Sequence, residues 1–387
     1  MCKTYWPAIK AIPVLMAILV SVSCWKCKRP VRQGNDAISV SGLRYIGEYV
    51  FPEKKYLKGS LIGGFSGIDF TGKNWLLICD DAKPPIRYYS AAIRYDADKF
   101  YGVEIDSVTE ITDENGEAFQ SHQVDAESIR YDKEANSFIW SSEGNIRKGI
   151  NPDIQESSMD GKFIRRYNIP SLFFADTLSE TRGPRHNGAF EGLSLSKDKA
   201  GFWASLELPL KQDGEAPVYE HVADSPVRFL YFDKEAGNFT KQFAYKLDKA
   251  ARKGDFEING VSEILEYDAR QFLVAERSYA QGNYADGGNN ILIYKADAAR
   301  ATDVSKYDSL KGVSYVPMSK TLLFDFETIR NQLSKVTNGL PKVDNIEGIS
   351  FGPKLSNGRL SLVVVADNNF SALGEQLSQF IVFEVIP

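Results

Sequence analysis

The sequence is poor in residues that support several common kinds of site. It has three histidines among 387 residues and no HxH or HExxH cluster, so it offers little for a zinc site. No GxSxG elbow occurs, and "GFSGI" matches that elbow only in part, which argues against Ser66 as a nucleophile. Basic residues are scattered along a chain of net charge -5, with no stripe of interleaved aromatics, which argues against nucleic-acid binding.

The N-terminal apolar run, "AIPVLMAILVSV", is too short to span a bilayer. With the lysines before it and the small residues after it, the run predicts a secretory signal over residues 1–23. "SVSC" resembles a bacterial lipobox, with Ser21 where Leu is usual, so we expect Cys24 to be lipidated and residues 24–37 to form a tether. A plain signal peptide or an anchor helix is the alternative. We therefore expect an exported lipoprotein at the outer membrane, at the cell surface or in the periplasm.

Cysteine is also scarce, with four in the chain. Cys2 would leave with the signal, Cys24 would carry lipid, and Cys27 lies in the tether. Cys79, in "WLLICDD", is the one cysteine left for the folded region, so a disulfide framework is not expected and Cys79 is interpreted as a small buried hydrophobe.

A short pattern recurs five times, at intervals of about 60 to 85 residues. Each copy has an acid or a serine near the start of a strand-like segment, then a polar turn and a strongly apolar segment. The copies begin at "FSGIDF" (65–70), "AESIRYD" (126–132), "FEGLSLS" (190–196), "SEILEYD" (262–268) and "IEGISFG" (346–352). The repeated acids are Glu127, Glu191, Glu263 and Glu347, with Ser66 in the first copy.

Further strand-like segments follow each copy, which gives four short strands per repeat. This pattern predicts an all-β fold, a β-propeller of four-stranded blades, with five blades counted and a degenerate sixth possible in the long spacers. The segment 38–51 would pair with the terminal "QFIVFEVIP" and close the ring, so residues 38–387 form one domain. A β-sandwich is the alternative, but it gives no reason for regularly placed acids. Residues 326–336 have apolar residues at helical spacing.

A second set of acids ends the strand after each repeated acid. Its members are Asp80, Asp81, Glu143, Glu207, Glu276 and Asp367. Because adjacent antiparallel strands place a start beside an end, both sets should converge on one mouth of the ring. Converging carboxylates repel, and Ca²⁺ prefers such oxygen ligands. The candidate metal ligands are Glu127, Glu191, Glu207, Glu263, Glu276, Glu347 and Asp367. The alternative is that each Glu braces a neighbouring blade.

Candidate cations accompany these acids. His122 and His186 each lie five residues before a repeated Glu, Arg185 adjoins His186, and Arg277 follows Glu276. Such a pocket suits a phosphorylated or other oxyanionic small molecule. Arg185, Arg277 and His122 are the candidate substrate-binding residues. His186, Glu191 and Glu127 are the candidate catalytic groups for proton transfer.

At these residues the chain resembles the family described as esterase-like activity of phytase. The matching segments are "GGFSGID", "VDAESI" with "WSSEG", "HNGAFEGLS" with "ASLE", "VAERS", and "DNIEGISFGP" with "VVADNNF", from about Gly63 to the C-terminus. The resemblance implies an exported propeller-like domain with phosphoesterase or esterase action. Propeller phytases use bound calcium and basic side chains to hold phosphate.

Two functions from different classes remain open. The first is a calcium-dependent hydrolase of phosphate esters, in which the metal polarises the phosphoryl oxygens and activates water. The second is a surface propeller that binds a glycan, peptide or protein without catalysis, with calcium as a structural pin, because a fold does not specify a function. In both cases we expect a monomer.

Overall fold

The computed structural model describes residues 1–4, 38–221, 224–282, 284–372 and 374–387. The predicted signal cleavage, the lipidated Cys24 and the tether therefore lie outside the described residues. Among the residues described, no helix is long and apolar enough to cross a membrane. All strands described below belong to one unit, Asp36–Pro387.

The strands form five antiparallel sheets of four strands each, called blades 1 to 5. From the innermost strand outward, blade 1 contains Phe65–Phe70, Trp75–Cys79, Arg87–Tyr95 and Phe100–Glu110. Blade 2 contains Ala126–Asp132, Ser137–Ser142, Asp153–Ser158 and Phe163–Arg166. Blade 3 contains Phe190–Leu195, Gly201–Leu206, Pro226–Asp233 and Asn238–Lys246. Blade 4 contains Phe256–Asp268, Gln271–Gln281, Asn289–Asp297 and Ser319–Asp325. Blade 5 contains Asn345–Lys354, Leu360–Asp367, Ser378–Ile386 and Gly42–Phe51.

The ring is closed by the two ends of the domain. Gly42–Phe51 pairs antiparallel with Ser378–Ile386, so the last blade takes its outer strand from the start of the domain. Each innermost strand also contacts the innermost strands of both neighbouring blades, including blade 5 against blade 1. The predicted β-propeller is confirmed, and the described residues form five blades rather than six.

Apolar clusters fill the spaces between neighbouring blades. Strand residues alternate between the two faces of a blade, and both faces are covered, so most side chains of the second strand of each blade are buried. Trp203 of blade 3 packs edge-on against Phe272 of blade 4, with ring centroids 5.2 Å apart. Trp140 of blade 2 lies in one cluster with Ile78 of blade 1. Both tryptophans therefore belong to the core between blades.

The innermost strand of each blade has a register irregularity at the start of the repeat. The residues at this bulge are Ser66, Glu127, Glu191, Ser262 and Glu347. The structure thus corrects the predicted alignment of the fourth repeat by one residue. Ser262 is the equivalent of Glu191, whereas Glu263 stands at the position that Gly192 and Gly348 occupy in their blades.

The two glycines stand where neighbouring inner strands approach each other closely. A Cβ atom on Gly192 would lie 3.0 Å from the backbone nitrogen of Ile264, and one on Gly348 would lie 3.0 Å from that of Ile68. A side chain at either position would therefore force neighbouring inner strands apart, and glycine permits their close packing.

Regular helix is limited to single 3₁₀ turns in the described part of the chain. These are Ile146–Lys148, Ser171–Phe173, Phe326–Thr328, Arg330–Gln332 and Asn369–Ser371. The helix expected over 326–336 is therefore only two such turns, the first begun by the Asp325 side chain, which accepts a hydrogen bond from the Glu327 backbone. A short hairpin with two residues in each strand, Tyr56–Leu57 and Ser60–Leu61, precedes blade 1.

Candidate functional site

Acidic residues line one cavity of about 1130 Å³, and seven of them, from four of the five blades, lie near the starts of the inner strands. They stand on the bulges of the inner strands, just before an inner strand, or just after the second strand of a blade. We call the following seven residues the acidic floor: Asp80, Asp125, Glu127, Glu143, Glu191, Glu207 and Glu347. Asp367, fully buried at the end of a blade 5 strand, lies close enough to Glu347 and Asp80 for their charges to interact.

Two groups of three carboxylates in the floor are close enough to share an ion. Asp80, Asp125 and Glu127 form the first group, at the junction of blades 1 and 2. In each group one ligand oxygen per residue lies within 4.8 Å of the other two. Ser66, at the blade 1 bulge, donates a 2.8 Å hydrogen bond to Glu127 Oε2. The serine that replaces the repeated acid thus orients the glutamate of the next blade.

Glu143, Glu191 and Glu207 form the second group, at the junction of blades 2 and 3. All three are buried. The backbone N–H of Ala189 donates a hydrogen bond to Glu143 Oε1, which fixes that carboxylate against the start of blade 3. The two groups therefore occupy adjacent parts of the same floor.

Arg277 of blade 4 is the one arginine or lysine of the described chain within ion-pair distance of the acidic floor. Its Nη2 lies 2.8 Å from Glu207 Oε1 and 3.9 Å from Glu191 Oε1, and its Nη1 contacts Glu347 Oε1. These contacts raise the pKa of the guanidinium further above its ordinary value, against the effect of burial. One fixed positive charge therefore faces at least three carboxylates and cannot balance the floor.

Burial and mutual repulsion raise the pKa values of the floor carboxyl groups. Desolvation is the larger cause for Glu127, followed by the charges of Glu191 and Asp80, and its pKa lies well above the ordinary range. Desolvation and the charge of Glu207 raise the pKa of Glu143 to about 8. The pKa values of Asp80, Glu191 and Asp367 are also strongly raised. Without a bound cation, these shifts favour the protonated, uncharged form of the floor carboxyl groups.

The donor set suits a hard divalent cation. It consists of carboxylate oxygens, which calcium prefers, and it contains no cysteine sulfur. Two buried acceptors beside it, Glu347 Oε2 and Asp367 Oδ2, have no hydrogen-bond partner among the described residues. Buried carboxylate oxygens are rarely left without a partner, so the floor fits calcium on both charge and chemistry.

Two residues predicted as metal ligands are turned away from the floor. Glu263 is fully buried and forms a 2.7 Å ion pair with Arg130 of blade 2. Glu276 accepts hydrogen bonds from Tyr245 and Asn259 and pairs with Lys320 at 2.6 Å. The reason is the alternation of side chains along a strand: Arg277 points to the cavity, so Glu276 points to the opposite face. In the second set of acids, Asp81 pairs with Arg87 at 3.2 Å.

Some of the predicted basic residues line the cavity and others do not. Arg185 and His186 line the cavity beside Arg147 and Lys211, and these four residues form what we call the basic rim. Arg185 donates to the backbone oxygens of Pro209 and Gly214, at 3.1 and 2.9 Å. His122 is exposed and does not line the cavity.

The electrostatics of the rim differ from those of the floor. Desolvation, followed by the charge of Arg147, lowers the pKa of His186, which keeps its imidazole neutral near pH 7. Both His122 and His186 are close enough to Asp125 for their charges to oppose the rise in its pKa.

The sequence interpretation missed Arg147 and Lys211 of the basic rim and two polar residues at the acidic floor. Asp125 and Asn345 each lie two residues before a bulge glutamate, at equivalent positions in blades 2 and 5. Asn345 contacts Arg277 and donates a 2.8 Å hydrogen bond to Glu347. The segments "DAES" and "NIEG" carried this signal, but it becomes visible only when the repeats are aligned on the bulge.

The fold and site together define a five-bladed propeller with an acidic cavity at one mouth. The sequence profile of the Phytase-like family, described as esterase-like activity of phytase, matches residues 60–370. The chain therefore belongs to the Phytase-like family.

Comparison with curated protein sequences gives no significant match. Among solved structures, similarity is found to the Dos1 propeller, with 9% identity, 84% of this chain and 69% of that chain covered, and a TM-score of 0.32. The catalytic domain of a Coprinopsis cinerea GH62 α-L-arabinofuranosidase has 11% identity, coverage of 89% and 98%, and a TM-score of 0.42. An endo-1,4-β-xylanase from Bacteroides thetaiotaomicron has 9% identity, coverage of 89% and 92%, and a TM-score of 0.40. At TM-scores this low, no property of these proteins is carried over to this chain.

Proposed function

We propose that this protein is a calcium-dependent hydrolase of phosphate esters. The observation that carries the proposal is the charge of the acidic floor, where seven lining carboxylates face one contacting cation, Arg277. Such a floor is unfavourable unless it holds protons or a metal ion. Membership of the Phytase-like family supports the choice of ester hydrolysis.

The two groups of three carboxylates would hold the metal. Calcium takes about six to eight oxygen ligands, so three carboxylates leave positions for substrate oxygens and water. When bound, the ion would polarise a phosphoryl oxygen and lower the pKa of a bound water. Arg277 already forms ion pairs with Glu207 and Glu347. Its role would therefore be to link the floor carboxylates and not to bind the substrate anion.

The basic rim supplies the contacts for the anion. Arg147, Arg185 and Lys211 line the cavity outside the floor and attract a phosphate toward it. His186 has a lowered pKa, so its neutral imidazole can accept a proton from an attacking water at neutral pH. In this arrangement the chain binds the phosphate from the rim and orients it over the floor.

The proposal is tested by assaying 4-nitrophenyl phosphate, its diester, phytate and 4-nitrophenyl acetate, with CaCl₂ and with EDTA. Chelator-sensitive turnover of a phosphate ester is expected, and Glu191→Gln should abolish it while the protein stays folded. The matched control is Glu235→Gln, which removes an exposed acid far along the same blade. The absence of turnover on every substrate, with only a calcium-dependent rise in melting temperature, would favour a binding module instead.

We also propose that the protein is exported, anchored by lipid on Cys24 and monomeric, as the N-terminal sequence and the closed ring suggest. Cys24→Ala should abolish metabolic labelling with palmitate and release the protein from the membrane fraction. Cys27→Ala is the matched control and should be labelled normally. Normal labelling of the Cys24 variant would rule out the anchor.

A further inference from the structure

The innermost hairpin of blade 4 extends beyond the floor. Its strands, Phe256–Asp268 and Gln271–Gln281, have 13 and 11 residues, whereas the inner strand of blade 3 has 6. At floor level Gly260 pairs with Arg277, and every second pair outward from there, on the same face, is Ile258 with Tyr279 and then Phe256 with Gln281. The added length therefore makes a wall that rises from Arg277 toward the opening of the cavity.

The wall presents a mixed apolar and amide surface. Ile258, Tyr279 and Asn289 lie in register across three adjacent strands, so their side chains share one face of the blade. All three line the cavity, as does Phe256. We call these four residues the ring wall. Phe256 is 53% exposed, and neither Phe256 nor Tyr279 belongs to an apolar core cluster.

The amide oxygen in this wall has no hydrogen-bond partner among the described residues. Asn289 is only 3% exposed, and its Oδ1 makes no hydrogen bond within the described chain. Gln376, which lies in blade 5 just before Ser378–Ile386, is a second lining amide with a buried oxygen that has no partner among the described residues. Both residues line the cavity, and a ligand that donated a hydrogen bond to either oxygen would satisfy it.

Building on the proposed function, we propose that the ring wall is the subsite for the alcohol part of the ester. The alcohol part that fits is a ring with an apolar face against Tyr279 and Phe256 and a hydrogen-bonding group that reaches Asn289. Tyr279 lies two residues from Arg277, or about 7 Å along the strand. A ring one or two bonds from the phosphorus therefore reaches the wall while the phosphate remains over the floor.

The same geometry disfavours a polyol that carries a phosphate on every carbon. Such a ligand would place dianionic groups against Ile258 and Phe256, where they would lose water without gaining a charged partner. The preferred substrates are therefore monoesters of aromatic or similarly flat alcohols with a polar group at the edge, rather than highly phosphorylated polyols.

The test compares benzylphosphonate with methylphosphonate by calorimetric titration of the folded protein in calcium. The C–P bond is not hydrolysed, so binding is measured whether or not the protein turns over esters. Benzylphosphonate should bind about tenfold more tightly, as expected for one stacked ring. Tyr279→Ser should remove most of this preference and leave the affinity for methylphosphonate unchanged. Phe256→Ser, at a half-exposed position outside the apolar core clusters, should reduce the preference in part.

Val316→Ser, an exposed apolar residue outside the cavity, is the matched control and should retain the full preference. In addition, 4-hydroxybenzylphosphonate should bind more tightly than benzylphosphonate, and Asn289→Leu should remove that gain. An equal affinity of the wild-type protein for benzyl- and methylphosphonate would overturn the ring subsite.

A second pair of probes separates this inference from the proposed function. In EDTA the acidic floor attracts cations. The affinities for benzylamine and methylamine therefore test the preference for a ring without metal or phosphate. If neither phosphonate binds but benzylamine still binds about tenfold better than methylamine in a Tyr279-dependent way, the ring subsite holds and the proposed function fails. If neither pair differs, the ring subsite is overturned, whatever the turnover assays show.

Discussion

Arg130 of blade 2 and Glu263 of blade 4 form a fully buried ion pair of 2.7 Å between blades that are not neighbours in the ring. Arg130 also donates to the backbone oxygens of Ile68, Leu193 and Ile264, which belong to blades 1, 3 and 4. Its guanidinium therefore connects four inner strands near the axis. Below the acidic floor, the ring is held by this arginine rather than by apolar contacts alone.

The first prediction concerns this arginine. Arg130→Met should lower the free energy of unfolding by about 3–5 kcal/mol, because Glu263 and three carbonyl groups would lose their buried partner. The double variant Arg130→Met/Glu263→Gln should recover part of the loss, since it leaves no uncompensated charge. The measurement is denaturant unfolding of both variants, and an additive effect of the two substitutions would contradict the coupling.

The second prediction is a pH dependence of stability in EDTA. The pKa of Glu143 is raised from 4.5 to about 8, and that of Glu263 from 4.5 to about 7. Over this range the folded, metal-free protein holds protons that the unfolded chain has released, so the free energy of unfolding falls as pH rises. The melting temperature should be highest near pH 5 and several degrees lower at pH 8.

Calcium should flatten this pH profile, because the ion neutralises the floor that protons neutralise in its absence. The measurement is a series of thermal melts from pH 5 to pH 8 with EDTA or with CaCl₂. A melting temperature in EDTA that rises over this range would show that the floor carboxylates do not destabilise the folded state.

The third prediction concerns Glu191→Gln. In EDTA this variant should be more stable than the wild type, since it removes one repelling charge from Glu143 and Glu207. In calcium it should lose most of the stabilisation that the ion provides, which is about 2.7 kcal/mol for the wild type at a concentration 100 times the dissociation constant. Thermal melts at several calcium concentrations measure both effects, with Glu235→Gln as the control.

The fourth prediction separates structural glutamates from those of the floor. Glu276→Gln should weaken the contacts with Tyr245 and Lys320 and lower the melting temperature in EDTA and in calcium alike. The rise in melting temperature from EDTA to calcium should be the same in this variant as in the wild type. If Glu276→Gln instead abolished the calcium effect, Glu276 would be a ligand and the side-chain placement described above would be wrong.

The fifth prediction concerns Arg277→Met, which removes the one cationic side chain among the described residues that contacts the floor. In EDTA the variant should be strongly destabilised at pH 8 and much less at pH 5, where protons replace the missing charge. The ratio of folded to unfolded protein at the two pH values, from urea unfolding, measures the difference. An equal loss at both would show that Arg277 contributes packing rather than charge.

The repeats in the sequence were sufficient to predict the blades and most of the floor. Strands and their apolar alternation are local patterns, so five copies of one motif predicted five blades and placed Glu127, Glu191 and Glu347 at equivalent positions. The rule that a strand start lies beside the next strand's end also brought Glu143 and Glu207 to the same cavity. The pairing of the first and last strands followed from the unpaired edge that each would otherwise expose.

Tertiary structure alone determined which acids face the cavity. A bulge shifts a strand by one residue and so exchanges its two faces, which puts Ser262 at the repeated position and turns Glu263 toward Arg130. The repeat motif does not show this shift. It allows an acid or a serine at the repeated position, so "VSEI" matches it with either Ser262 or Glu263 there. The ring wall likewise depends on how Tyr279 and Asn289 meet across separate strands. The sequence by itself thus determined the blades and their acids, while contacts between distant strands determined which side chains form the site.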